Sequence, residues 1–171
     1  MQVPHGFSRR GASVIGFWFI AMLVVIADQA TKAAVRHLMP VGAPQRPLVP
    51  GLLNLAHVEN TGAAFSSLSS MTGLLSLVTL ILVAAVCACL LRRPDWRGPL
   101  RCGLWMLAAG GASNLFDRVV YGHVVDFIEF AFVRFAVFNI ADVFICVGAG
   151  LTVLGYCLAE RRQKEKEEAH G

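Results

Sequence analysis

Apolar residues along this chain come in long unbroken runs, and polar residues gather at the ends of those runs. Met71 to Leu91 is the cleanest run, 21 residues without a charge. A helix rises about 1.5 Å per residue, so this run reaches about 31 Å, one hydrocarbon thickness. Arg92, Arg93 and Pro94 end it. Leu100 to Phe116 is a second such run, with Arg101 at its start and Asn114 and Asp117 at its end. Ile140 to Leu158 carries only Asp142 and is closed by Glu160, Arg161 and Arg162. Val14 to Ala27 has 14 residues, short for a span, but continues without Pro or Gly through Asp28, Gln29, Thr31 and Lys32 to Leu38. That extension reaches spanning length, with Lys32 expected to snorkel toward the interface. The pattern predicts four membrane helices, at about 14–38, 71–91, 99–117 and 139–159. Arg9 and Arg10 ahead of the first run resemble a secretory signal, but no small-x-small site follows Ile26, so an uncleaved span is expected.

The segments between the spans read differently. Residues 39–70 hold Pro40, Pro44, Pro47 and Pro50, then a partly alternating stretch from Leu52 to Val58, which predicts one or two short strands. Asn60-Thr61-Gly62 is a turn signal. Residues 118–138 contain Val124 to Phe130, a strand or an interfacial helix. The expected fold is an all-α membrane protein: one domain of four transmembrane helices with a small extracytoplasmic β-cradle over them. Residues 1–13 and 160–171 are its tails, the latter a mixed charge run expected to be a solvated helix end.

Composition supports lipid contact. Of 171 residues, 56% are hydrophobic and 15% charged, against about 45–50% and about 25% in soluble domains. A domain this small leaves roughly 30% of its unfolded surface exposed, too much to be covered by the few polar residues here. An ordinary soluble enzyme, a disordered chain and a disulfide scaffold are excluded. The net charge of +4 is an orientation signal. Arg9, Arg10, Arg92, Arg93, Arg97, Arg101, Arg161, Arg162, Lys164 and Lys166 fall on one side of four spans. Lys32, Arg36, Arg46, Arg118 and Arg134 fall on the other. Ten against five places both termini in the cytoplasm and removes the case for a nucleic-acid partner. Cys87, Cys89, Cys102, Cys146 and Cys157 lie in apolar runs without CxxC spacing, so neither disulfide nor zinc is expected. The five histidines are scattered without metal-ligand spacing.

Ionisable residues inside a membrane are costly, so each one marks a functional hypothesis. Here they cluster at the outer edge: Asp28 in the first span, Asn114, Asp117 and Arg118 ending the third, Asp126 after it, and Asn139 and Asp142 opening the fourth. Asn139 suits an N-cap, with Asp142 at the third helical position near the positive end of the dipole. Asp28 and Lys32, four apart, are expected to form a structural ion pair. Arg118 is the natural counter-charge for Asp117. Asp126 and Asp142 have no neutralising neighbour in sequence. Two such carboxylates fit acid–base chemistry on water, sharing a proton that the dipole placement assigns to Asp126. Glu129 reads as a solvated or interfacial charge. A proton-coupled transporter would spread its acids through the membrane on broken spans. A scaffold would have no use for the polar cluster.

The chain resembles bacterial lipoprotein signal peptidase (signal peptidase II, aspartyl peptidase family A8) from about Val14 to about Leu158. Five blocks carry the resemblance in the family's order: Asp28-Gln29-Ala30-Thr31-Lys32, Glu59 to Phe65, Gly110 to Arg118, Val124-Val125-Asp126-Phe127, and Phe138-Asn139-Ile140-Ala141-Asp142. The resemblance implies an aspartyl endopeptidase of the bacterial inner membrane. It would cut prolipoproteins just before a diacylglyceryl-modified cysteine and be blocked by globomycin. It implies Asp126 and Asp142 as the catalytic pair, and Asn60, Gly62, Asn114, Arg118, Asn139 and Ala141 as residues that bind substrate or shape the site. Asp28, Lys32 and Asp117 are implied to be structural polar residues. No metal or organic cofactor is implied. Its partners would be the prolipoprotein and membrane lipid, and a monomer is expected.

Overall fold

The computed structural model of the chain describes residues 8–62 and 72–169. The end of the second sequence block (Ala63 to Phe65), Met71, and the extreme tails with His5 and His170 lie outside the described residues. The elements, in chain order, are α1 (Ser8–Leu38), β1 (Arg46–Val49), β2 (Leu53–Asn60), α2 (Thr72–Arg92), α3 (Gly98–Tyr121), β3 (Val124–Phe130) and α4 (Ile140–Glu168). The molecule is mostly helical with one small antiparallel sheet in the order β1-β2-β3.

Two helices among the described residues are long and apolar enough to cross a membrane. They are α2, with mean hydropathy 2.9, and Ile140–Glu165 within α4, with mean hydropathy 1.9. The other two carry their polar residues inward. α1 continues past Lys32 to Leu38, with Val24, Asp28, Lys32 and Val35 buried in one stripe. α3 is the hub, packed on α1, α2 and α4, and it buries Gly103, Ala108, Gly110, Gly111, Ser113, Asn114 and Asp117. α2 buries Leu90 and turns Leu77, Leu80, Ile81 and Leu82 outward, each more than half exposed. Inside, Leu90, Leu100, Leu104 and Trp105 form an apolar cluster beside the small and polar residues of α3, while many large apolar side chains of α2 face outward, as a lipid surround allows.

Glycine makes the central crossing possible. A Cβ on Gly103 would stand 2.5 Å from the Gly148 carbonyl oxygen, and one on Gly155 would stand 2.2 Å from the Leu100 nitrogen. The α3 and α4 backbones are in direct contact, as small residues allow in membrane bundles. α3 has Pro99 in its first turn and ends on Gly122, whose φ of 77° is left-handed and whose N–H donates to the Arg118 carbonyl.

The sheet sits over one end of the helices. Val125 and Phe127 of β3 pack with Val35 of α1, together with Leu55, Ile128 and Ile140. The buried His57 places Nδ1 2.7 Å from the Met39 carbonyl oxygen, and the Gly42 N–H donates to the His57 carbonyl at 3.0 Å, so β2 is tied to the end of α1. A register irregularity between Leu55 and Val58 places Ala56 and His57 inward together. Beyond β3 the chain turns back, and Phe138 bridges Ile128 through bonds of 2.8 and 2.9 Å. That bridge sets the residue after it, Asn139, beside β3.

One expectation gives way here. Lys32 does not snorkel: it is fully buried, because acceptors inside the bundle surround its ammonium. The helices also outrun the apolar runs. α1 begins at Ser8, α3 continues to Tyr121 and α4 to Glu168, since hydropathy marks only the apolar part of a helix and backbone hydrogen bonding continues into its polar ends.

Candidate active site

Asp126 and Asp142 reach the site from different elements. Asp126 lies on β3, opposite Val58, and is 3% exposed. Asp142 is the third residue of α4 and forms a capping box with Asn139. The Asn139 side-chain oxygen accepts from the Asp142 N–H at 3.0 Å, and Asp142 Oδ2 accepts from the Asn139 N–H at 3.1 Å. Asn139 is therefore a helix cap and a site residue at once. Its Nδ2 donates to Asp126 Oδ1 at 2.7 Å. One asparagine thus holds both carboxylates.

Two further amides complete the frame. Asn60, at the end of β2, donates from Nδ2 to Asp126 Oδ2 at 2.9 Å. Its Oδ1 accepts the Gly62 N–H at 3.0 Å, and Gly62, with φ at 133°, adopts a conformation that favours glycine. Asn114 of α3 donates to Asp142 Oδ1 at 2.8 Å and accepts on Oδ1 from Asn139 Nδ2 at 3.2 Å. Each carboxylate oxygen accepts an N–H, so the pair is oriented by neutral donors and not by a direct ion pair. Burial pushes the Asp126 carboxyl up to about 6; the Asn60 bond opposes this, the Asp142 charge adds to it, and the Asn139 bond and Lys32 oppose it.

Behind the pair lies a second, drier layer. Lys32 Nζ is 2.7 Å from Asp28 Oδ2, 2.7 Å from Asp117 Oδ2 and 2.9 Å from Asn114 Oδ1. An ammonium has three N–H donors, and three acceptors face this one. Asp28 Oδ2 also accepts from the Ser113 hydroxyl at 2.7 Å, and its Oδ1 accepts the Ala141 N–H at 2.9 Å. Gln29 donates to Asp117 Oδ1 at 2.9 Å and to the Ser113 hydroxyl at 3.0 Å. Asp28, Lys32 and Asp117 are all fully buried.

Apart from Glu129, every residue singled out from the sequence falls in or beside this network. The Asp28–Lys32 pair and the Asn139 cap form as expected. The partner of Asp117 differs: Lys32 and Gln29 hold it, and Arg118 does not. Adjacent helical residues point about 100° apart, so Asp117 turns into the bundle while Arg118 turns toward Asp126 and Asp142. Arg118 donates to the Asn114 carbonyl at 3.4 Å and makes no ion pair within 4 Å among the described residues. Asp142, Asp126 and Asp117 are the charges that act on it. Ala141 is fully buried, contributing its N–H to Asp28. Glu129 faces a separate cleft of about 280 Å³ lined also by Gln45, Asn54, Phe130 and Arg134. Its Oε2 is buried without a hydrogen-bond partner among the described residues. Gln29 and Ser113 carry no role legible from the sequence, since only packing brings them together.

The model of the family described as signal peptidase (SPase) II matches residues 20–158. The chain belongs to the signal peptidase II family. It is an aspartic-type signal peptidase and a bacterial membrane protein. It is 38% identical over 154 residues to the lipoprotein signal peptidase of Aeromonas hydrophila, covering 85% of this chain and 90% of that one. To the lipoprotein signal peptidase of Neisseria meningitidis serogroup C it is 37% identical, covering 93% and 99%. A bacterial membrane enzyme solved by the in meso method at 2.3 Å superposes with a TM-score of 0.80 and 30% identity, covering 88% of this chain and 92% of that one.

Proposed function

We propose that this enzyme removes signal peptides from diacylglyceryl-modified prolipoproteins by cutting just before the lipidated cysteine, with Asp126 and Asp142 as the catalytic pair. The observation that carries this reading is Asn139. Its side chain donates to Asp126 and its backbone N–H donates to Asp142, so one residue presents the two carboxylates side by side. In this reading one carboxylate takes a proton from a water as it attacks the scissile carbonyl. The other, protonated, gives its proton to the carbonyl oxygen, forming a tetrahedral diol; the first then passes the water's proton to the leaving amine as the C–N bond breaks, and a diol hydroxyl returns a proton to the second. Asp126, with its carboxyl raised to about 6, is the carrier of the shared proton. The pair titrates as a unit.

The remaining site residues take supporting parts. Asn60, Asn114 and Asn139 hold the carboxylates, Gly62 shapes the turn beside them, and Arg118 faces the incoming substrate backbone. Ala141 presents its N–H to the network behind the pair. Asp28, Lys32 and Asp117 hold α1, α3 and α4 together. All four helices span the bacterial inner membrane, with both termini in the cytoplasm and the pair at the outer edge. The sheet forms a cradle there. The signal peptide is itself a membrane helix with its scissile bond at that interface, and the acyl chains stay in lipid. The enzyme acts as a monomer on prolipoprotein within the lipid bilayer, and globomycin blocks the pair.

The test is cleavage by purified protein in detergent of a diacylglyceryl-modified prolipoprotein beside its unlipidated form. Cleavage of the lipidated form alone is expected, and Asp126→Asn and Asp142→Asn each abolish it in a folded protein. Near-normal turnover in either variant overturns the assignment of the pair.

A further inference from the structure

The ammonium of Lys32 and the carboxylate of Asp142 are joined by one side chain. Lys32 Nζ donates to Asn114 Oδ1 at 2.9 Å, and Asn114 Nδ2 donates to Asp142 Oδ1 at 2.8 Å. An amide with a cation on its oxygen is polarised, and its N–H becomes a stronger donor. The same contact decides which way the amide points. Asn114 Oδ1 is also the acceptor for Asn139 Nδ2, so a flipped amide would set two NH₂ groups against each other and two oxygens at Asp142.

A buried lysine is expensive to keep, and structural need alone does not explain this one. Two carboxylates, Asp28 and Asp117, already flank it at 2.7 Å. The cluster of Asp28, Lys32 and Asp117 carries a net charge of −1, two acids against one base. Its third N–H goes to the only neutral acceptor of the three, and that acceptor is the one that reaches the dyad. The charged groups facing this arrangement are Asp28 from α1, Asp117 and Arg118 from α3, Asp126 from β3 and Asp142 from α4. A cation in direct contact with Asp142 would occupy the face where water and substrate must enter. Placed behind Asn114, it acts on the carboxylate and leaves that face open.

We propose that Lys32 is a positioning residue of the peptidase reaction, acting on Asp142 through the Asn114 amide. This rests on the assignment of the dyad above. Lys32 touches no substrate atom; it orders and polarises the donor that holds Asp142 in its working orientation.

The experiment is the pH profile of cleavage of a diacylglyceryl-modified prolipoprotein by the Lys32→Met/Asp117→Asn double variant in detergent. Removing one positive and one negative group keeps the cluster at its net charge of −1, so the fold is not asked to bury an extra charge. The acid limb of kcat/KM, which belongs to the pair, is expected to move up by about one pH unit, because Asn114 loses the cation that orders and polarises its N–H toward Asp142. A fall in kcat of about tenfold with KM unchanged accompanies it, the mark of an interaction that serves the transition state. A purely structural role lowers the amount of folded enzyme and moves neither limb nor KM. An unmoved limb in folded, cleaving double variant overturns the proposal. Should the double variant fail to accumulate, Lys32→Met/Asp28→Asn decides, because it keeps the same net charge of −1 and leaves the Asn114–Asp142 bond in place. Its limb rises if the link carries the effect, and an unmoved limb again overturns the proposal. Absence of cleavage by the unsubstituted enzyme would instead count against the assigned reaction.

Discussion

The Asp28 carboxylate accepts the backbone N–H of Ala141 at 2.9 Å across 113 residues of sequence. A side chain of the first helix thereby satisfies one of the free N–H groups at the start of the last helix. The same N-terminus carries Asp142. The position of Asp142 is thus set in part by α1, an element that contributes neither carboxylate of the proposed pair.

Asp28→Ala removes that acceptor and one of the two carboxylates that neutralise Lys32. A loss of about 3–5 kcal/mol is expected, as for a broken buried ion pair. Thermal or denaturant unfolding in detergent measures it. Turnover per folded molecule, taken above the acid limb, falls far less than stability does. A change in stability below about 1 kcal/mol, the scale of an exposed pair, would contradict the burial.

Asp126 carries its own pH signature in stability. The Asp126 carboxyl rises from 3.8 in the unfolded chain to about 6 in the folded one, so the folded state binds the proton more tightly. Stability contributed by this group is full below about pH 4, falls as pH rises to about 6, and is flat beyond, with a span of about 3 kcal/mol. Melting curves of the enzyme and of Asp126→Asn between about pH 4 and 7 isolate the effect. Their difference slopes downward with pH in the stated window. A difference that is flat, or that slopes upward, refutes the raised carboxyl.

Asn60 holds the Asp126 carboxylate from β2, and its bond opposes the rise. Asn60→Ala therefore lifts the carboxyl above about 6, and the acid limb of kcat/KM moves up with it. The limb is read from initial rates on lipidated substrate across about pH 5 to 8. An unmoved limb would mean that the amide does not face the carboxylate in solution.

The α3–α4 crossing depends on glycine at particular positions. Gly103→Ala would place a Cβ 2.5 Å from the Gly148 carbonyl oxygen, costing about 1–3 kcal/mol through forced separation of the two helices. Gly150→Ala, on the same α4 helix, meets nothing within 4 Å. It should stabilise by about 0.5–1 kcal/mol, the ordinary preference of a helix for alanine. Unfolding of both variants under one set of conditions compares them, and equal effects would exclude the close crossing.

Four long helices, short strands after Pro40 and the polar residues of the site were all legible in the sequence. Hydropathy marks a helix that must face lipid, and an acid stranded in such a run has few reasons to be there other than function. The Asn139 cap and the Asp28–Lys32 pair were legible because three- and four-residue spacings on a helix are local geometry. Only the tertiary structure could decide what lies between them. Asp117 is claimed by Lys32 from α1, not by its neighbour Arg118, and Lys32 is buried, not snorkelling. Asn114 touches Lys32 and Asp142 at once, and Asn139 reaches across to Asp126. Those hydrogen bonds join residues from 13 to 82 apart in the chain. A sequence written along one dimension states which groups are too costly to leave unpaired; the packing of α1, α3, α4 and β3 states which partners they find.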